Sequence, residues 1–329
     1  MTTGFTLGSR SCGAAGLLLA EFDRPRVDER TTVAVFADSH LTTEAEGTWK
    51  CYHRTESRLR SAVADANERG VDAVLLAGDL TKDGRPAEFD AVDELLGDLD
   101  APYLGVPGNH DVPKPKWDPY DAPSPERFAW RYAAGSLPFV ERVGGLDIVG
   151  VNTASAPDGR LRDTHEGVVS DAQLTWLAET LPELENPVVL LHHCLTHPSA
   201  HGERLLDADL YQVRNAREVR DVLTDGAVEL VLSGHLHWPA VGTHGSLQEV
   251  IAPAICSFPQ SYLIVDVGTA GTTVSLVPLA DRAGLEEAYV AARDGKPHGR
   301  AIADWAGDAM LDDLLATDER LAATAYQAQ

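Results

Sequence analysis

The chain has 329 residues, 44% of them hydrophobic and 24% charged, a globular composition with room for one large α/β domain or two small ones. Its formal charge of −24, from 51 acidic against 27 basic residues, argues against a nucleic-acid backbone as main partner, because neutralising phosphates needs a basic face. No apolar run approaches the roughly 20 residues of a membrane span, so no membrane association is expected.

Only 5 of the 27 basic residues are lysines, and 30 of the 51 acids are aspartates. At about 1 M salt the Debye length is roughly 3 Å, which screens the self-repulsion of such a surface and points to a halophilic protein. The four cysteines (Cys12, Cys51, Cys194, Cys256) lack paired spacing, as expected of free thiols in a reducing compartment. Residues 12–20 imitate the apolar core of a signal peptide. They are short, follow a single charge at Arg10 and run straight into acidic sequence, so a cytoplasmic location is predicted.

In chain order, short apolar runs at 33–37, 73–77, 103–106, 147–151, 188–191 and 228–232 read as buried strands. Amphipathic segments at 55–69, 86–97, 170–180 and 214–224 lie between several of them, the rhythm of a layered α/β fold. Residues 112–128, rich in Pro and aromatics, read as a long surface loop that opens a loop or cap insertion over 112–146. Segments 247–252, 261–266 and 272–277 read as consecutive antiparallel strands, making the sheet mixed. From 284 onward the pattern is helical and amphipathic, suited to docking on the domain or to pairing two copies in a homodimer. The predicted division is an N-terminal extension (1–30), a catalytic domain (31–280) and a C-terminal helical extension (281–329).

Five of the six early runs end in polar clusters: Asp38-Ser39-His40, Gly78-Asp79, Gly108-Asn109-His110-Asp111, His192-His193 and Gly234-His235-Leu236-His237. In open α/β sheets, ligands bind beyond the carboxyl ends of the strands. Imidazole, carboxylate and amide ligands without thiolate suit Mn, Fe, Zn or Co. So many such side chains exceed one ion's needs, and two ions sharing a carboxylate account for the excess.

Together, D-x-H, G-D-x(4)-G, G-N-H-[DE], H-H and G-H-x-H resemble the calcineurin-like metallophosphoesterase superfamily over roughly 31–280. Phe128, Tyr132, Pro138-Phe139, Val151-Asn152-Thr153 and the stretch 167–181 resemble its cyclic-nucleotide and glycerophosphodiester phosphodiesterase branch. The resemblance implies a layered αββα sandwich with mixed sheets. It also implies one divalent ion on Asp38, His40, Asp79 and His237, and another on Asp79, Asn109, His192 and His235, with Asp79 bridging. His110 would act as general acid while a metal-bridging hydroxide hydrolyses a small phosphodiester. A phosphomonoesterase or nucleotide pyrophosphatase is the alternative on the same site. A non-catalytic scaffold would be marked by lost ligands, and none is lost.

Two departures stand out: Cys194 replaces the Pro common after the His pair, and Lys82 replaces an Asp that orients the catalytic His in some relatives. On the substrate side, Lys50, His53 and Arg54 are candidates for contacting phosphate or base. Trp117, Tyr120 and Trp130 are candidates for a cap wall, and His165, His197 and His201 are expected to be solvated loop residues.

Overall fold

The computed structural model describes residues 16–44, 47–113, 123–154, 166–198 and 208–306. Its strands are β1 (Leu17–Phe22), β2 (Thr31–Phe36), β3 (Ala73–Leu76), β4 (Tyr103–Gly105), β5 (Phe139–Val143), β6 (Leu146–Gly150), β7 (Pro187–Leu190), β8 (Leu230–Ser233), β9 (Ala240–His244), β10 (Leu247–Ile251), β11 (Ser261–Gly268) and β12 (Gly271–Pro278). The helices are α1 (Thr55–Arg69), α2 (Pro86–Leu96), α3 (Pro125–Tyr132), α4 (Asp171–Thr180), α5 (Ala216–Asp225) and α6 (Arg282–Arg293), followed by α7 over 297–306. None of the described helices is long and apolar enough to cross a membrane.

The strands form two six-stranded mixed sheets, ordered β1-β12-β11-β2-β3-β4 and β5-β6-β7-β8-β10-β9. Alternation along the strands builds the layers. Val33, Val35, Ala37, Leu75 and Ala77 of the first sheet meet Ile148, Leu190, Leu232 and Val250 of the second in a shared core. The intervening Ala34, Phe36, Val74 and Leu76 face outward and are covered by α1 and α2. Val149, Val189, Leu191 and Val231 do the same under α4 and α5. In α1 the buried residues Leu59, Ala62, Val63 and Ala66 recur at the three- and four-residue spacing of one helix face. The result is the predicted αββα sandwich with mixed sheets.

Three sequence expectations change. Residues 247–251 do not continue into the 261–278 hairpin: β10 lies in the second sheet, parallel to β8 and antiparallel to β9, whereas β11 and β12 pair in the first. Periodicity identifies a strand but not its sheet. Residues 17–22, at the end of the signal-like stretch, are an edge strand paired with β12. Within the expected insertion, residues 114–122 lie outside the described residues, which include neither Trp117 nor Tyr120. The rest supplies α3, whose Phe128 and Tyr132 pack under the first sheet, and the edge strand β5. As expected of a docked C-terminal stretch, helices α6 and α7 bury Leu285, Ala288, Ala292 and Ile302 in the shared core.

Candidate metal centre and substrate cleft

The carboxyl ends of β2, β3 and β4 in one sheet meet those of β7 and β8 in the other, so the polar clusters converge at a seam between two sheets rather than on one edge. Beyond their strands, the loops after β2 and β3 stay paired: the Asp38 N–H donates to the Gly78 carbonyl (3.0 Å) and the His40 N–H to the Asp79 carbonyl (2.9 Å). Asp38, His40, Asp79, His235 and His237 have φ of 51°, 41°, 52°, 66° and 62°. For non-glycine residues this left-handed conformation costs on the order of 1 kcal/mol or more each, and such strain concentrates where function requires it.

Asp79 is the centre. Its Oδ2 lies 3.4 Å from His40 Nε2 and 3.5 Å from His192 Nε2, while its Oδ1 accepts the His110 N–H (2.8 Å). On one side Asp38 Oδ1 lies 3.3 Å from His237 Nε2 and 3.8 Å from His40 Nε2, and the two Nε2 atoms are 3.3 Å apart. On the other side His192 Nε2 lies 3.3 Å from Asn109 Oδ1 and 3.1 Å from His235 Nδ1. All seven side chains are buried.

This donor set fits metal. His192 Nδ1–H donates to the Ala77 carbonyl and His235 Nε2–H to the Leu210 carbonyl. With the outer N–H groups so committed, loss of any proton from the inner nitrogens would aim both lone pairs at the same point as Asn109 Oδ1 and the Asp79 carboxylate. Asp38 Oδ1 is buried with no hydrogen-bond donor. Electron-rich atoms crowded together in a dry site ask for a cation. The ionisation directions agree for three of the four histidines; burial would lower His192 too, but the facing Asp79 and Asp38 carboxylates outweigh it and raise it to about 9, a proton that a bound cation would displace. Burial holds His40, His235 and His237 well below the usual imidazole range, hence neutral and ready to ligate. Burial pushes Asp38 up to about 7, Asp79 adding to the shift and His192 opposing it. Burial would also raise Asp79, but the facing His192, His110 and His40 outweigh it and hold it well below the carboxylate range.

His193, by contrast, hydrogen-bonds the Thr153 hydroxyl through Nδ1 (2.8 Å). His110 donates Nδ1–H to the Lys82 carbonyl (2.6 Å), so the main chain orients it where relatives use an Asp side chain; the Lys82 ammonium pairs with Asp83 (2.7 Å). Asp111, given no role by the sequence, is buried and gathers the N–H groups of Leu80, Thr81 and Gly108 and the Thr81 hydroxyl. It ties the β3 loop to the β4 loop.

A cleft of about 120 Å³ over these residues is lined by Asp79, Asn109, His110, His235 and His237, with Lys50, Trp49, Leu210, Tyr211 and His298. Lys50 is therefore in place, its Nζ 3.0 Å from His40 Nε2. His53 and Arg54 are not: both point to Glu287 on α6, at 2.9 and 3.0 Å, because the short helix carrying them leaves the cleft toward that carboxylate. Trp130 is 83% exposed on α3 and absent from the cleft lining. His197 pairs with Asp209 at 2.9 Å, and His165 and His201 lie outside the described residues.

The cleft also contains a residue the sequence did not single out. His298, from α7, is half-buried, stacks on Trp49 (centroids 4.9 Å apart, 20° between planes), donates Nε2–H to the Leu236 carbonyl (2.9 Å) and contacts the Tyr211 hydroxyl through Nδ1. Burial lowers it to about 4, so the ring is neutral.

The family model for calcineurin-like phosphoesterases matches residues 31–239. A probable cyclic nucleotide phosphodiesterase from Synechococcus sp. is 28% identical over 232 residues, covering 68% of this chain and 80% of that protein. The 3′,5′-cyclic adenosine monophosphate phosphodiesterase of Escherichia coli is 27% identical over 228 residues, covering 67% of this chain and 72% of the relative. Among solved structures, a dimetal phosphatase from Danio rerio shares the fold, with a TM-score of 0.61 at 16% identity over 77% of this chain and 98% of that one. Strand-end motifs, buried donor set and family match agree: the chain belongs to the calcineurin-like phosphoesterases and is a metal-dependent phosphoester hydrolase.

Proposed function

We propose that this protein is a dinuclear phosphodiesterase acting on a small diester, a cyclic nucleotide or a glycerophosphodiester. The observation that carries the reading is one oxygen, Asp79 Oδ2, set 3.4 Å from His40 Nε2 and 3.5 Å from His192 Nε2, between two separate groups of ligand atoms. Asp38, His40, Asp79 and His237 would hold one divalent ion, and Asp79, Asn109, His192 and His235 the second. When bound, the pair supplies positive charge to the phosphoryl oxygens and lowers the pKa of water in the cleft. The diester preference draws on the names of the cyclic-nucleotide relatives.

The chain's own residues divide the remaining work. Asn109 brings a neutral oxygen to a site where an anion must land. Lys50 lines the cleft, and its ammonium, 3.0 Å from His40 Nε2, would turn to the phosphoryl oxygens once that nitrogen holds metal. His110, with Nδ1–H held by the Lys82 carbonyl, passes a proton at Nε2 to the departing alkoxide, a contribution of about 10²–10⁴-fold. The charge of −24 and the buried free thiols of Cys51, Cys194 and Cys256 support a salt-adapted protein of a reducing cytoplasm.

The test is hydrolysis of bis-p-nitrophenyl phosphate against p-nitrophenyl phosphate with Mn²⁺ in molar KCl. Faster turnover of the diester, abolished together with bound metal in Asp79→Ala, is the expected result. Preference for the monoester would replace this reading with a phosphatase.

A further inference from the structure

Two bases that the sequence offers for substrate contact, His53 and Arg54, both go to one carboxylate instead, and neither the metal ligands nor His110 explain why. Glu287 Oε1 lies 2.9 Å from His53 Nε2, and Oε2 accepts the Arg54 Nε–H at 3.0 Å. Arg54 occupies the N-cap position of α1 yet makes no capping hydrogen bond, and a cation there opposes the helix dipole. Glu287 offsets that repulsion. It reaches across from α6, whose Leu285, Ala288 and Ala292 are fixed in the shared core.

The loop gripped in this way, 47–54, brings Trp49 and Lys50 to the cleft. A lysine ammonium rides on a flexible four-carbon stem, so the main chain decides where it can reach. The loop backbone is tied down at Cys51, whose N–H donates to the Cys256 carbonyl (2.7 Å). Within the loop, the Lys50 carbonyl takes the N–H groups of Thr48 (3.1 Å) and Tyr52 (2.7 Å), which passes any tilt around His53 to Lys50. The His53 ring also covers Gly47, where a Cβ would lie 2.3 Å from Nδ1. The same C-terminal stretch closes on Trp49: a Cβ on Gly295 or Gly299 would come within 2.4 or 3.0 Å of Trp49 Cβ.

We propose that Glu287 is a positioning residue: by holding His53 and Arg54 together it sets the 47–54 loop so that the Lys50 ammonium reaches the phosphoryl oxygens. The C-terminal helices, which lie beyond the residues 31–239 matched by the family model, thereby become part of the substrate site. This deepens the proposed function and rests on the role of Lys50 in it. It is indifferent to the choice between diester and monoester, since both present phosphoryl oxygens.

The experiment measures kcat and KM on the Mn²⁺-loaded full chain for wild type, Lys50→Met, Glu287→Ala and the double variant. The substrate is whichever of bis-p-nitrophenyl phosphate and p-nitrophenyl phosphate the wild type turns over faster. Lys50→Met should raise KM about tenfold or more, the loss of one charge-assisted hydrogen bond. Glu287→Ala should raise it about two- to fivefold, the size of exposed ion pairs, with kcat and metal content kept. In the Lys50→Met background the same substitution should add nothing. Glu287→Gln, which keeps an acceptor oxygen for Arg54, should fall between wild type and Glu287→Ala. Amide hydrogen exchange, read without turnover, should quicken over 47–54 in Glu287→Ala and stay unchanged in β3 and β8. A merely structural role would raise KM by the same factor with and without Lys50, and that outcome overturns the proposal. So does unchanged KM in Lys50→Met, or unchanged KM or exchange in Glu287→Ala. Preference for the monoester would sink the diester reading and leave this inference standing, whereas a wild type inert on both esters would sink the two together.

Discussion

The floor of the cleft and its aromatic wall are built differently. On the floor, the ligand candidates follow closely on buried strands, most have left-handed backbones, and their donor atoms crowd within 3.1–3.8 Å of one another. The wall has Trp49 and Tyr211 from loops and His298 from a helix near the end of the chain, and its polar atoms are partnered with one another. The floor is under tension that a cation would relieve, whereas the wall is already satisfied. Charge chemistry is therefore set by strand-end geometry that five short motifs specify, and substrate shape by tertiary packing that substitutions can alter without disturbing the metals.

Substitutions can sharpen or break that contrast. Among variants that keep the metal, the largest effect is expected for His110→Ala, a drop of about 10²–10⁴-fold in kcat. The loss should be greater for an alkyl ester than for a p-nitrophenyl ester, whose leaving group needs no proton; equal losses would remove His110 as the acid. Next is Gly108→Ala. A Cβ there would land on Asp79 Oδ1 and its backbone N, so the floor must shift. Misplacement of this kind costs about 10²-fold, and metal content measured by mass spectrometry should fall with activity.

The wall counterpart, Gly295→Ala, presses a methyl toward Trp49 Cβ and should raise KM by a few-fold while metal content stays intact. If it stripped metal as Gly108→Ala does, floor and wall would be one unit.

The smallest effect calibrates the others from outside both regions. Burial alone would raise the Asp147 carboxyl, but Arg142 (2.8 Å) and the N–H groups of Asn186 and Glu185 outweigh it and hold it below the usual range. A depressed folded-state pKa stabilises above the unfolded value of about 3.9, and the benefit is lost as pH falls through the folded one. Asp147→Asn should therefore cost about 1 kcal/mol at pH 7, with the Tm gap to wild type closing in acid.

Much of this was legible in the residues. Runs such as Val-Leu-Leu before Gly78-Asp79 must be buried strands, and a carboxylate at the end of one has few roles other than chemistry. The choice of His192 over His193 follows from strand alternation: His192 projects to Asp79, and its neighbour turns to Thr153. Lys50, beside Trp49, was legible too. His53 and Arg54 were not, because their partner Glu287 lies more than 230 residues away in the chain. His298 carried no local signal, since a lone histidine in a helical stretch is uninformative until α7 folds back over Trp49. Sheet membership of β10 was hidden for the same reason, as pairing between distant segments leaves no periodicity of its own.

The position of Trp49 has a consequence of another kind. Its indole lies 5.4 Å from the His237 ring and is stacked on His298. Loading with a paramagnetic ion such as Mn²⁺ or Co²⁺ should quench its emission, while a closed-shell ion such as Zn²⁺ should not quench by that route. The fold thus carries its own fluorophore at the rim of the reaction site, and the light lost on replacing Trp49 by Phe isolates that signal from the other tryptophans.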